Sequence, residues 1–273
     1  MDREPPYRAG RSRLRSFFRS PLLDVLLFLL LLAGLGWLIL RSAENIGYGW
    51  QWYRIPKYIV IATEDGLQAG PLLRGLAITL AISLASLVLA LLIGLCTALL
   101  RQSSSFAGRG LANLYLETSR NTPLLIQIFF IYFVLGPVFD LDRMAAAIIA
   151  LSLFEGAYAS EIFRAGFAAV PKGQIEAARS IGLTTMATYR HIIIPQAVRK
   201  VLPPLTSQAI SLIKDSALVS TIAIYDLTMQ AQALVAESYL TFEIWFTVAA
   251  IYLTVTLLLS LFVGILEKRL KLP

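Results

Sequence analysis

The sequence predicts an all-α integral membrane protein with about six transmembrane helices. Three observations carry that expectation. Of 273 residues, 57% are hydrophobic and only 15% are charged, where a soluble domain carries about 25% charged residues. Mean hydropathy is +0.70, and the apolar residues gather in runs near the roughly 20 needed to cross a hydrocarbon core. Lys and Arg are also divided unevenly between alternate connections, as topology in a membrane demands.

A basic segment, residues 1–21, leads into the first span, residues 22–40, which is uncharged apart from Asp24 at its edge. Its apolar run exceeds the roughly 7–15 residues of a secretory signal core and no small-x-small site follows, so it reads as an anchor that is retained. Residues 41–70 form an outer loop containing Trp50, Trp52 and Tyr53, residue types that favour the headgroup region. Spans follow at residues 72–100, 121–139 and 144–166. A fifth span is expected over residues 203–226, opened by Pro203 and Pro204, and a sixth over residues 244–266 before the tail at 267–273.

With the N-terminus inside, eighteen of the 24 Lys and Arg residues fall on inner segments and five on outer ones. Lys214 remains within a span, and residues 226–243 on the outer side hold neither Lys nor Arg. Both termini are therefore expected in the cytoplasm. The same distribution accounts for the net charge of +7 without nucleic acid, because the cations line the inner rim and form no patch interleaved with aromatics. One cysteine, Cys96, and one histidine exclude an intrachain disulfide and a zinc-type ligand cluster.

The inner connection, residues 167–200, is long for a structureless loop. Pro171 and Gly173 break the incoming helix, and Ile175, Ala178 and Ile181 then recur at helical spacing. Gly182 is a C-terminal stop, and Thr184 or Thr185 caps a second helix over residues 186–194, which Pro195 perturbs. The product is helix, glycine turn, helix. By spacing alone it is an amphipathic hairpin on the inner leaflet or a surface that another protein approaches closely through Ala177 and Ala178.

Here the residues resemble a family. Glu176-Ala177-Ala178, three residues, Gly182, nine residues, then Ile192-x-Ile194-Pro195 is similar to the EAA loop of ABC-importer permeases, with Ile194 in place of Leu. The stretches NTPLLIQIFFIYF (121–133), PKGQIEAARSIGL (171–183), IIIPQAVRKVLPPL (192–205) and IKDSALVSTI (213–222) resemble the polar amino acid permease subfamily. The resemblance covers about residues 70–266. It implies a type I importer permease core at 71–266, with residues 22–40 as an additional N-terminal helix and 41–70 as a periplasmic loop. It also implies that the 167–200 loop docks on a separate ABC ATPase, with Glu176, Ala177, Ala178, Gly182, Ile192 and Pro195 as coupling residues. Implied partners are ATPase subunits carrying ATP and Mg, a second permease subunit, a periplasmic amino-acid-binding protein and membrane lipid, in a bacterial inner membrane. This chain has no G-x-x-x-x-G-K-[ST] phosphate loop of its own. No nucleophile–base set marks it as an enzyme. A stand-alone carrier or channel with a surface-bound loop is the alternative reading. The RNTPLL stretch (120–125) leans weakly towards acidic, amide or broad amino-acid substrates.

Ionisable residues at bilayer depth are costly and mark function by default. Glu155 in the fourth span and Lys214 in the fifth are expected near the midplane, where they would hold the two ends of a free amino acid or pair with each other. Asp215 is rotated about 100° from Lys214 and cannot share its face. Gln127 and Thr122 either bond between helices or line a path, and Glu161 with Arg164, three residues apart, reads as an ion pair at the inner end.

Overall fold

The computed structural model describes residues 21–64 and 66–270. The chain forms two compact units, divided between Trp50 and Gln51. In the first, helix α1 spans Pro21–Ile46. Its side chains from Val25 to Leu32 are all outwardly exposed, as expected of a helix whose apolar surface is solvated by lipid on every side. Its apolar stretch, Leu23–Leu38, carries one charge, Asp24, near its start.

The second unit opens with a 3-10 turn, Trp52–Arg54, a short helix α2, Pro56–Ile59, and an antiparallel hairpin, β1 Val60–Thr63 with β2 Gly66–Ala69. The outer stretch is therefore folded rather than a simple interfacial loop. Ile55 is buried, and the Gln51 amide donates to Oε1 of the fully buried Glu243, 2.7 Å away. These contacts fasten the outer stretch to the start of the last helix.

Helix α3 spans Pro71–Gln102, α4 Phe106–Asn121, α5 Leu124–Phe139 and α6 Arg143–Ala168. The inner hairpin supplies α7, Lys172–Ser180, and the start of α8, Thr185–Ile222; α9, Leu227–Ser238, and α10, Thr241–Leu270, complete the fold. Among the described residues α3, α6 and α10 each have the length and hydropathy to cross a membrane unaided. Two further pairs qualify only as bent spans, α4 with α5 at 111° and α8 with α9 at 50°.

Small residues make the centre of the unit. Lipid offers no hydrophobic drive between helices, so close backbone approach and good van der Waals packing must hold them. The α3–α6 seam uses Ser83, Ser86, Ala90 and Gly94 against Ala146, Ala147, Ala150, Ala157 and Ser160, all buried. Ser152 donates to Ile148 O at 2.5 Å and lies 3.3 Å from Ser86 O across the seam. A Cβ on Gly94 would sit 2.7 Å from Ala159 Cβ and 2.9 Å from the Gly156 carbonyl. Gly94→Leu should therefore lower stability by about 1–3 kcal/mol, the usual range for overpacking. Thermal unfolding of the detergent-solubilised protein, with Gly110→Leu as the control in open space, measures this. Equal transitions for the two variants would refute the seam.

Two expected boundaries are corrected. The third span does not begin at Asn121. Asn121 ends the amphipathic helix α4, whose N-cap Ser105 accepts from Gly108 N, and Thr122-Pro123 breaks the chain before α5. The fifth span does not open at Pro203-Pro204. Both prolines lie inside α8, which runs continuously from the inner hairpin. Interior prolines are tolerated at membrane depth where the surroundings re-satisfy the freed carbonyls, which here are those of Arg199 and Lys200, four residues before each proline. Thr206 Oγ1 makes its own bonds just beyond them, to Leu202 O at 3.0 Å and Pro203 O at 2.7 Å. Pro195 is met by a wider π turn over Tyr189–Ile193, the geometry that makes room where the regular ladder is interrupted. The outer stretch 226–243 is largely the helix α9, capped by Asp226 Oδ1 on Met229 N (2.8 Å) and by Thr79 Oγ1 on Leu227 N (3.1 Å).

Candidate functional site

Glu155 sits in the middle of α6 with 2% of its surface exposed. Its Oε2 accepts from Gln208 Nε2 on α8, and the Asp215 carboxyl lies beside it. Among the described residues no amide, hydroxyl or cation donates to Oε1. Two carboxyls and an amide therefore converge from α6 and α8, where an unpaired buried oxygen is costly unless something fills its place.

The expected partnership of Glu155 with Lys214 is corrected by this geometry. Lys214 is exposed, and among the described residues every ion pair involves Glu161 instead. Helix rotation is the reason. Gln208 and Asp215 are seven residues apart, two turns, and share a face, while Lys214 is turned about 100° away. Gln208 was missed in the sequence, although a polar residue recurring at that interval on an apolar helix was the available signal.

Gln127 and Thr122 meet each other rather than another span. Gln127 Nε2 donates to Ser119 O at 2.8 Å, to Thr122 O at 3.1 Å and to Thr122 Oγ1 at 3.3 Å. The amide thus closes the break between α4 and α5, satisfying carbonyls that the bend releases. Both residues also border an open groove of about 350 Å³ with Ile126, Phe130 and Leu153.

At the inner end of α6, Glu161 accepts from Arg164 Nε (2.8 Å) as the spacing predicts. It also accepts from Arg101 at 2.6 Å and Arg120 at 3.4 Å. One carboxylate therefore ties α3, α4 and α6 together. Arg120 additionally lies over the Tyr158 ring, 5.8 Å from its centroid.

The inner hairpin has a small core of its own in which Val170, Ile193 and Ala197 pack with Phe167 and Ile175. A Schellman turn ends α7. Leu183 N bonds Ala178 O at 3.0 Å, Gly182 N bonds Arg179 O at 3.0 Å, and Gly182 adopts φ +80°, a conformation that glycine takes without the Cβ clash other residues meet. Thr184 then caps the next helix by accepting from Ala187 N at 3.2 Å. Glu176, Ala177, Gly182 and Pro195 are exposed and Ile192 is half-buried. Ala178 differs from expectation: it is 3% exposed and supports the hairpin from within, so it offers no surface to a partner. Ile181 and Met186, each 77% exposed, widen the apolar tip instead.

This arrangement is that of a membrane transport component. Residues 90–272 match the family described as "Binding-protein-dependent transport system inner membrane component", and the chain belongs to that family, a multi-pass protein of the bacterial inner membrane. It is 37% identical over 204 residues to the glutamine transport system permease protein GlnP of Escherichia coli K12, covering 74% of this chain and 93% of that protein. It is 41% identical over 199 residues to the L-cystine transport system permease protein TcyB of Bacillus subtilis, covering 72% and 85%. A crystal structure of an amino acid ABC transporter with histidines matches with TM-score 0.70 at 38% identity, over 73% of this chain and 94% of that one. The MetNI methionine ABC transporter matches in fold, with TM-score 0.65 at 19% identity, over 74% and 97%. The core is the type I ABC importer permease fold.

Proposed function

We propose that this chain is the transmembrane permease subunit of an ATP-driven importer of polar amino acids. The observation that carries the reading is the exposed, internally braced inner hairpin joined through one continuous helix, α8, to the Glu155–Gln208–Asp215 cluster. Relatives named for glutamine and cystine transport support the substrate class. A separate ATPase, carrying ATP and Mg, docks on Glu176, Ala177 and Gly182, with Ile192 and Pro195 shaping the hairpin behind them. Movement of the docked hairpin passes along α8 as a rigid element and alternates access to the carboxyl cluster. The cycle requires ATP to favour one state over the other, since a ligand indifferent to both shifts nothing.

Two carboxyls and an amide suit the ammonium end of an amino acid, which supplies three donors. Lys214 is exposed and turned about 100° from Asp215, and on this reading it does not share the cluster with the ammonium end. A second permease subunit completes the path, and a periplasmic binding protein delivers the substrate at the outer hairpin and α9. On this reading residues 22–40 are an added anchor and residues 41–70 face the periplasm.

Reconstitution tests it. The chain, co-expressed with its ATPase and binding protein and placed in vesicles, should accumulate amino acid only with ATP inside. Uptake by the purified chain alone, without ATP, would favour a stand-alone carrier. Competition among the twenty amino acids in the same vesicles identifies the substrate.

A further inference from the structure

The inner end of α6 gathers more cations than the nearby acids neutralise. Glu161 alone faces Arg101, Arg120 and Arg164. Lys200, from α8, lines the same recess as Glu161 and Arg164. The acids on the elements packed around it are engaged elsewhere or distant. Glu117 on α4 accepts from Asn121 at 2.9 Å, Glu155 is bonded to Gln208 about 9 Å up the helix, and Asp215 is fifteen residues beyond Lys200.

The recess is about 480 Å³ and lies between α6 and α8, bordered by Glu161, Arg164, Gly166, Ala169, Lys200 and Pro204. Its floor is tightly packed, because a Cβ on Gly166 would meet Val201 Cγ1 at 2.1 Å. Donors remain available in it. Arg164 spends Nε on Glu161, leaving its terminal nitrogens free to fork onto an anion. Lys200 Nζ gives one hydrogen to Ala169 O at 2.6 Å, leaving two.

Depth identifies the anion. Arg164 lies nine residues from Glu155, about 13.5 Å along the helix, close to half of a hydrocarbon core of about 30 Å. With Glu155 near the midplane, the recess opens where inner-leaflet phosphates lie, and basic pockets between helices on that side take anionic headgroups. We propose that this recess binds the phosphate group of an anionic phospholipid. The site is separate from the carboxyl cluster, so its test does not depend on which amino acid is transported.

The assembled transporter, permease with its ATPase, is exchanged into mixed phosphatidylglycerol and phosphatidylcholine, and native mass spectrometry reads the lipid retained. Wild type should keep phosphatidylglycerol preferentially. Lys200→Gln should lower that preference about fivefold, the loss expected for one cation near the surface, and Lys200→Arg should restore it. Unchanged preference in Lys200→Gln overturns the proposal. Displacement of the lipid by millimolar inorganic phosphate would reassign the recess to free phosphate. If Lys200→Gln instead raises the KM for uptake with lipid retention unaltered, the recess holds the carboxylate of the transported amino acid and the lipid proposal falls. Should Lys200→Gln fail to assemble, Arg164→Lys, which keeps charge but loses the fork, should show a weakened preference by the same readout, and an unchanged one overturns the proposal.

Discussion

Glu176→Arg is expected to release the ATPase from the complex and to lower ATP-dependent uptake at least about tenfold, with insertion and folding of the chain unaffected. The carboxylate of Glu176 is exposed and makes no ion pair among the described residues, while Ser180 Oγ donates to the Glu176 backbone carbonyl at 3.0 Å. Reversing the charge therefore breaks nothing within the hairpin. Close charge pairs across an interface couple by about 1.5–7 kcal/mol, and the lower end of that range corresponds to the tenfold loss. Gly182 tests the same surface by a different route. At φ +80° with open space around its Cβ position, the obstacle to substitution is backbone conformation rather than crowding. Gly182→Val should fail because a β-branched residue is strained there. Gly182→Asn, which tolerates the left-handed region, should retain most activity. Co-purification of the ATPase on a tagged permease, together with uptake in vesicles, measures both. A Glu176→Arg complex that stays intact and transports normally would remove this hairpin from the coupling path.

What could be read beforehand followed the physics of each segment. The spans α3 and α10 announce themselves because lipid solvation demands long apolar runs, while α6 is legible despite Glu155 at its middle. The inner hairpin was legible because its Gly182 turn and Thr184 cap are local devices written within a few residues. Helix α4 escaped because it carries Arg109, Glu117 and Arg120 on an amphipathic surface, which a hydropathy window averages away. Pro203 and Pro204 misled because a soluble helix would end or begin there, while α8 continues through them.

The candidate sites divide in the same way. Arg164 with Glu161 is a neighbouring pair on one helix and needs only helical spacing. Arg101 joins the same carboxylate from 60 residues away, which no local pattern encodes. Glu155 was visible as a lone charge, but its partners depend on which face of α8 meets α6. That face was computable from the 208–215 interval once the helix was known to be continuous. Placing the helix start at Pro203 obscured it.

The carboxyl cluster yields the second large effect. Glu155→Gln should lower substrate-stimulated transport about ten- to a hundredfold, because a hydrogen bond to a charged group contributes about 1.5–3 kcal/mol and a neutral amide cannot attract an ammonium. The fold should persist, since the new side-chain carbonyl still accepts from Gln208. Asp215→Asn should produce a smaller loss of the same kind, as Asp215 is only half-buried beside Glu155. Lys214→Met, at an exposed position turned about 100° from Asp215, should leave transport near wild type. Uptake and substrate-stimulated ATP hydrolysis are to be compared across the three variants in the reconstituted complex, with the undocked basal rate as reference. The ordering is the discriminating result. Loss in Lys214→Met with normal transport in Glu155→Gln would mean that the α-carboxylate end governs recognition and that the buried carboxyls serve only to pin α6 against α8.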